Sequence, residues 1–444
     1  MRRSIVKNII LCLVLVVTTG TSMIGCKNSK LANASSQQEE KANAGIVSQN
    51  TDGKGADAGK GTDGNPSRAD AGKDGESGTG SSGTKASEAN DGQEVKDGTS
   101  LNVRDLQLKP KGEQIKVKAL YLTGWTVGSM DRVNHYINLA KTTEINSYVI
   151  DIKDDDGYVG YESNIPAVRE ISAWKKKYDV DKVLKAFHDN DVHIIGRLVC
   201  FKDPVLSSKR PELAVKNVKG GLWRDNHKLT WLDPYNRDSW PYLIEIAKEA
   251  VNKGFDEIQF DYIRFPNDGD KKAMSFGDSG LKKYEIINEF LAYARKELPG
   301  VVLSADVFGI ICESPADTED IGQYLELVGK DIDYISPMVY PSHYAVGQVV
   351  NEVRFAKPDL DPYGVVFNSL VKAKNRTSKV EGYKAKIRPY LQDFTATWLG
   401  KGYYQTYGHE QVRQQIKAVY DAGCEEWILW DADNSYSESA LLKE

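Results

Sequence analysis

Asp256-Glu257-Ile258-Gln259-Phe260-Asp261-Tyr262-Ile263-Arg264-Phe265-Pro266 follows a helix that stops at Lys253-Gly254, and it reads as one buried strand running out into a loop. With Ile258, Phe260 and Tyr262 on one side, strand alternation puts Gln259 and Asp261 on the other. An unpaired buried carboxylate costs several kcal/mol, so Asp261 needs either an ion-pair partner, Arg264 or Arg197, or a catalytic task.

Outward from this strand, from about Lys118 onwards, short apolar strands alternate with helical segments. The strands fall at Ala119–Trp125, Ser147–Lys153, His193–Phe201, Glu257–Phe265, Val301–Phe308, Tyr334–Tyr340, Ile387–Phe394 and Glu426–Asp431. Between them, helices are expected over Asp131–Lys141 with Ser129 as cap, Val180–Asn190, from Asp238-Ser239-Trp240-Pro241 to Gly254, Leu281–Leu298, Glu319–Val328 and His409–Ala422, with a further one opening at Asp361-Pro362. Eight strands, most followed by a helix, give a single (β/α)8 TIM barrel in the α/β class. No GxGxxG turn follows the first strand, which disfavours an open doubly wound sheet.

A barrel of this kind carries functional side chains at the C-terminal ends of its strands. Strand one ends at Trp125, strand two in Asp151-Ile152-Lys153-Asp154-Asp155-Asp156, and strand three carries Arg197. Strand four ends in Asp261 and Arg264, strand five in Asp306, strand six in Tyr340-Pro341-Ser342-His343, strand seven in Gln392-Asp393, and strand eight in Trp430-Asp431. Trp223, Trp231 and Tyr235 lie in the long loop after strand three. Acids, an arginine and aromatics at one mouth fit a carbohydrate site, because sugar rings stack C–H faces on aromatic planes while their hydroxyls need carboxylates and amides. Structural ion pairs at the rim account for some of the acids, Asp151 with Lys153 among them, but not for the aromatics.

The N-terminus has a different character. Basic Met1–Lys7, an apolar run from Ile9 to Val17 and a small or polar stretch form the three-part layout of an export signal. It ends in Met23-Ile24-Gly25-Cys26, which resembles the lipobox of bacterial lipoproteins, with Met23 in place of the usual Leu. The resemblance implies a lipid on Cys26 and a place at the outer face of the cytoplasmic membrane; secretion is the alternative. Residues 27–104 are almost empty of large apolar side chains and are expected to form a disordered tether. About 75 such residues span roughly 50 Å. The expected organisation is thus a signal over 1–26, a tether over 27–104 and a barrel domain over 105–444.

The formal charge is −5, near −8 once Arg2, Arg3 and Lys7 leave with the signal, and no basic stripe points to nucleic acid. Cys200, Cys312 and Cys424 are dispersed and outside any CxxC spacing, which predicts reduced, mostly buried thiols. The six histidines form no HExxH or HxH pattern, so neither a metal nor another cofactor is expected.

Gly254–Pro266, Ile335-Ser336-Pro337-Met338-Val339-Tyr340-Pro341-Ser342-His343-Tyr344 and Pro389-Tyr390-Leu391-Gln392-Asp393-Phe394 resemble the glycoside hydrolase group once called domain-of-unknown-function family 4015, over about Lys118 to Ser435. The resemblance implies a barrel of glycosidase type. Family 18 chitinases carry DxxDxDxE on strand four; here Asp256, Gln259, Asp261 and Ile263 occupy those positions, so the acid Glu is missing. The layout is closer to α-amylase-like barrels, with carboxyls ending strands four and five, although Gln259 stands where those barrels have Arg and Asp306 where they have Glu.

Glycoside hydrolysis generally needs one ionised and one protonated carboxyl. Asp261 is expected to be the ionised nucleophile or base, near Arg197 and Arg264, and Asp306 the acid, because its surroundings are apolar. Glu313 is the reserve acid. Trp125, Asp151, Arg197, Trp231, Arg264, Tyr340, His343, Asp393, Trp430 and Asp431 are the expected substrate contacts. Two other functions fit the sequence less well: a barrel that binds glycan without cutting it, and a metal-dependent deacetylase or amidase acting on envelope polymer.

Overall fold

The computed structural model describes residues 115–443. The signal, Cys26, the tether and residues 105–114 of the expected domain lie outside the described residues.

The barrel strands are β1 Lys118–Leu122, β2 Ser147–Lys153, β3 His193–Val199, β4 Glu257–Asp261, β5 Val302–Phe308, β6 Tyr334–Met338, β7 in two pieces (Lys386–Ile387 and Tyr390–Gln392) and β8 Trp427–Trp430. Each pairs in parallel with the next, and β8 pairs with β1 in the register Lys118↔Trp427, Ala119↔Ile428 and Leu120↔Leu429, which closes the barrel. All eight expected strands are present, several of them shorter at the C-terminal end. The break in β7 falls at Arg388-Pro389, where proline has no N–H to give the ladder; the Pro389 carbonyl still accepts from Ile428 N at 3.0 Å.

The principal helices around the barrel are α1 Met130–Thr142, α2 Val180–His188, α3 Trp240–Lys253, α4 Lys283–Glu297, the single turn α5 Leu325–Val328, α6 Pro362–Thr377 and α7 His409–Asp421. Their ends follow local chemistry. Asp179 caps α2 by accepting from Lys182 N, and Gly254, at φ 113°, closes α3 in the left-handed region that glycine tolerates. Ser129 precedes α1 but makes no side-chain cap. The helix expected over Glu319–Val328 shrinks to α5. Glu319 and Asp320 take positive φ, and the Asp317 carboxylate collects the N–H groups of Gly322 and Gln323 at 2.8 and 3.1 Å, so a side chain replaces the helical ladder there.

Apolar side chains form two main cores, with a small third cluster of Tyr344, Val350, Phe355 and Val365. The larger lies between strands and helices; the smaller, inside the barrel, comprises Val117, Ala119, Tyr121, Val149, Ile195, Tyr340, Tyr390 and Ile428. Polar groups cross this interior: Tyr390 on β7 donates to Gln259 Oε1 on β4 at 2.7 Å, and Gln259 Nε2 lies 3.3 Å from Ser336 Oγ on β6. Cys200, Cys312 and Cys424 are free and buried.

Candidate active site

At the C-terminal ends of β1 to β4, one hydrogen-bonded chain of side chains runs across four neighbouring strands. Tyr121 Oη donates to Asp151 Oδ2 at 2.8 Å. Arg197 Nη1 donates to Asp151 Oδ1 at 2.7 Å, while its Nε and Nη2 reach Asp261 Oδ2 at 2.8 and 2.6 Å. The parallel register places these residues side by side, with Asp151 opposite Arg197. All four are buried, so the two carboxylates and the guanidinium interact in a poorly screened environment where charge-assisted bonds are strong. Arg197 also lies 5.5 Å from the Tyr121 ring and 5.6 Å from the Trp430 ring. Those two rings stack at 4.0 Å and 19°.

The backbone turns sharply just after Asp261. Tyr262 takes φ 49°, a left-handed conformation that is strained for a bulky residue, and its N–H is directed at Asp261 Oδ1 at 2.6 Å. Asp261 is thereby gripped through both oxygens.

Asp306, ending β5, contrasts with it. It is 2 % exposed, and its Oδ1 is buried without a hydrogen-bond partner among the described residues. Burial, and after it the negative charge of Asp261, pushes its carboxyl well above the ordinary carboxylate range. Asp306, its carboxyl raised, thus stands close to an ion-paired Asp261.

The remaining expected contacts divide into groups. Trp430 is half-buried against Tyr121. Tyr340 packs on His343 and Phe394, with ring centroids 5.1 and 5.6 Å away; burial pushes the His343 imidazole down to about 3, so it is neutral. Asp393 accepts from both the N–H and the hydroxyl of Ser437. Burial raises Asp393 to about 6 and Asp431, its neighbour at the end of β8, to about 7. Trp125 stands on the one-turn helix Gly124–Val127 beyond β1 and is 63 % exposed.

Trp231 and Arg264 are placed elsewhere. Trp231 is 1 % exposed, and its indole N–H is bonded to Asp225 Oδ2 at 3.0 Å. Arg264 does not join Asp261. Its guanidinium lies 4.8–5.0 Å from the rings of Trp231, Tyr262 and Phe308 and donates to Phe265 O and Asn267 Oδ1. The strand ends at Asp261, and the left-handed turn at Tyr262 takes Arg264 out of its alternation. The expected Asp151–Lys153 pair is also absent: the β2–β3 register shifts between these two residues, and Lys153 pairs instead with Asp203 Oδ2 at 2.9 Å. Glu313 is bound to Lys372 and to Asn351 N.

One residue of the network was missed in the sequence, Tyr121, as was Tyr390, which donates to Gln259 on β4. Period-two alternation of Ala119 with Tyr121 would have put that hydroxyl in the barrel interior beside Asp151. Among the described residues, no group of three or more His, Cys, Asp or Glu is placed to hold a metal ion.

Eight parallel strands that deliver an aspartate–arginine–aspartate chain and a further, buried aspartate to one face define a TIM barrel with an acidic mouth. Residues 119–436 match the family model described as “Putative glycosyl hydrolase domain” (DUF4015), and the chain belongs to that family. No curated protein sequence matches it. A solved structure of a hypothetical protein from Ruminiclostridium thermocellum is 80 % identical, covering 43 % of this chain and 99 % of its own, with a TM-score of 0.42. The PgaB (BpsB) glycoside hydrolase domain from Bordetella bronchiseptica is 14 % identical, covering 74 % of this chain and 100 % of its own with a TM-score of 0.55, a likeness of fold alone. The spore cortex-lytic enzyme SleL of Bacillus megaterium is 12 % identical, covering 73 % of this chain and 72 % of its own, with a TM-score of 0.42.

Proposed function

We propose that this protein hydrolyses glycosidic bonds of a cell-surface or environmental carbohydrate with two carboxyl groups, Asp306 as proton donor and Asp261 as nucleophile or base. The observation that carries this proposal is the opposite treatment of the two aspartates. Arg197 and the Tyr262 N–H grip Asp261, whereas Asp306 keeps its proton through burial and the charge of Asp261. In the proposed reaction Asp306 gives that proton to the departing glycosidic oxygen. Asp261 attacks the anomeric carbon or takes a proton from the attacking water. Asp151 shares Arg197 and orients it, so the guanidinium is held between two acids rather than drawn wholly onto Asp261. The family membership supports a carbohydrate as substrate.

The test compares the wild-type chain with Asp261→Ala on a panel of envelope and environmental polysaccharides. Sugar release by wild type that falls by at least about 10³-fold in a folded variant is the expected result. A second function, a barrel that binds glycan without cutting it, draws support from the near-complete burial of Asp306. Equal binding by both forms, with no release by either, selects that one.

A further inference from the structure

Trp125 is the most exposed of the large hydrophobic side chains among the described residues, at 63 %. An exposed indole on a loose loop would carry no information; the backbone under this one is clamped. Thr123 caps the turn by accepting from Thr126 N at 3.2 Å. Asn434 Oδ1 accepts from both Thr123 N at 2.9 Å and Thr126 Oγ1 at 2.6 Å, tying the turn to the far end of the chain. On the other side, residues 177 and 178 press so closely that a Cβ at Gly124 would sit 3.2 Å from the Lys177 side chain, and one at Gly128 would collide with the Lys177 carbonyl. Gly128 requires glycine for this approach, not for an unusual φ, and Gly124 has little room to spare.

Lys177 is fixed in its turn. Its N–H bonds Gly160 O at 2.8 Å, and its ammonium pairs with Asp154 at the end of β2. That ammonium lies 5.6 Å from the Trp125 ring centroid. An open aromatic face thus stands beside a carboxylate and an ammonium that neutralise each other. The indole supplies the plane on which the C–H face of a pyranose ring packs, and the buried, mutually neutralised Asp154–Lys177 pair holds that plane in place without offering a net charge.

The geometry points to an outer sugar subsite built from Trp125, Lys177 and Asp154 on the β1–β2 sector of the mouth, separate from the Asp261–Asp306 centre, which takes an uncharged pyranose unit of a longer chain. This inference rests on the proposed glycosidase function and narrows its substrate class to a neutral oligomer or polymer that spans both places. A site for monosaccharides or short glycosides would have no use for a rigid platform at the rim. An acidic polysaccharide would meet no spare cation here, since Lys177 is committed to Asp154.

The experiment measures affinity by calorimetry for trimers and hexamers of β-1,4-linked glucose, xylose and N-acetylglucosamine, in the full chain carrying Asp261→Asn to prevent turnover. Comparison is with the same chain carrying Trp125→Ala or Trp125→Tyr. The expected result is a gain in affinity from trimer to hexamer that shrinks about tenfold in Trp125→Ala, equivalent to about 1.4 kcal/mol, and largely returns in Trp125→Tyr, which restores an aromatic face. An unchanged length dependence in Trp125→Ala overturns the subsite, as does the absence of binding to all three hexamers. If hexamers bind through Trp125 but wild type cleaves none of the panel polysaccharides, the platform stands and the hydrolytic function falls.

Discussion

The barrel interior holds two acid–arginine networks, one at each end, and they differ in what they leave unpaired. At the N-terminal end Arg388, in the break of β7, is fully buried and pairs with Glu257 at the start of β4, with Glu426 at 3.7 Å. Ser304 also donates to Glu257. Burial works against the Glu257 charge, but Arg388 outweighs it and holds the carboxyl down to about 2. At the C-terminal end Arg197 serves Asp151 and Asp261, and a further acid, Asp306, has no cation of its own and is pushed up instead. Both ends obey the same electrostatics. Where the acids bonded to arginine are joined by no further carboxyl held close, the network is structural. Where one acid too many is buried beside them, its carboxyl is pushed up and, in the proposed reaction, stores the proton.

The largest effect that would break this contrast is on catalysis. Asp306→Asn keeps shape and polarity but removes the stored proton, and should lower sugar release by about 10²–10⁴-fold. Its folding stability should not fall. Asp306 has a raised carboxyl, so it disfavours the folded state progressively as pH rises above the ordinary value of 3.8; an amide is free of that dependence, and melting at pH 7 should be equal or higher. A lower melting temperature would make Asp306 a structural acid like Glu257. Next in size, Arg388→Ala removes the cation paired with buried Glu257 and leaves it, among the described residues, only the Ser304 hydroxyl and His193 at 4.0 Å. Chemical denaturation should show a loss of about 3–5 kcal/mol. A loss below about 1 kcal/mol would remove the structural label from the lower network. The smallest is a pH effect. Because the folded value of Glu257 lies near 2 against an ordinary 4.5, its contribution is present above about pH 4.5 and lost as pH falls towards 2, on the order of 2–3 kcal/mol. Thermal melts from pH 5 to 2 should fall more steeply for wild type than for Glu257→Gln; parallel curves would contradict the pairing.

The same contrast explains what the sequence could and could not convey. Strand positions followed from short, nearly continuous apolar runs, since each barrel strand is buried on both faces and has turn-forming residues at its ends. Asp151, Arg197, Asp261 and Asp306 could be placed at one mouth because strand ends are local features and the barrel fixes where they point. The partners could not. The Asp151–Lys153 expectation used sequence nearness, and a register shift in β2 overrode it. Trp231 and Arg264 were expected to line the mouth, but burial in a long loop is set by distant pairings, such as Ala214 with Leu232 and Lys216–Asn217 with Met274–Ser275. Glu313 lies just beyond β5, yet it is drawn to α6 and the adjoining turn by Lys372 and Asn351 N. Tyr121 was hidden in plain view as an apolar-looking strand residue.

The join between β8 and β1 has a consequence for how the protein is made. Asn434 Nδ2 reaches the carbonyl of Tyr121 at 3.0 Å across 313 residues of chain, and Trp430, which stacks on Tyr121, enters from the last strand. During vectorial synthesis β1 emerges first and waits unpartnered on one side until nearly the whole domain has followed. Closing so long a loop is slow. The tyrosine–tryptophan stack behind Arg197 is therefore among the last contacts to form. A chain cut short before Trp427 would keep Asp151, Arg197, Asp261 and Asp306 in its sequence yet lack the strand that seals their barrel, so full-length translation is itself a condition for a finished site.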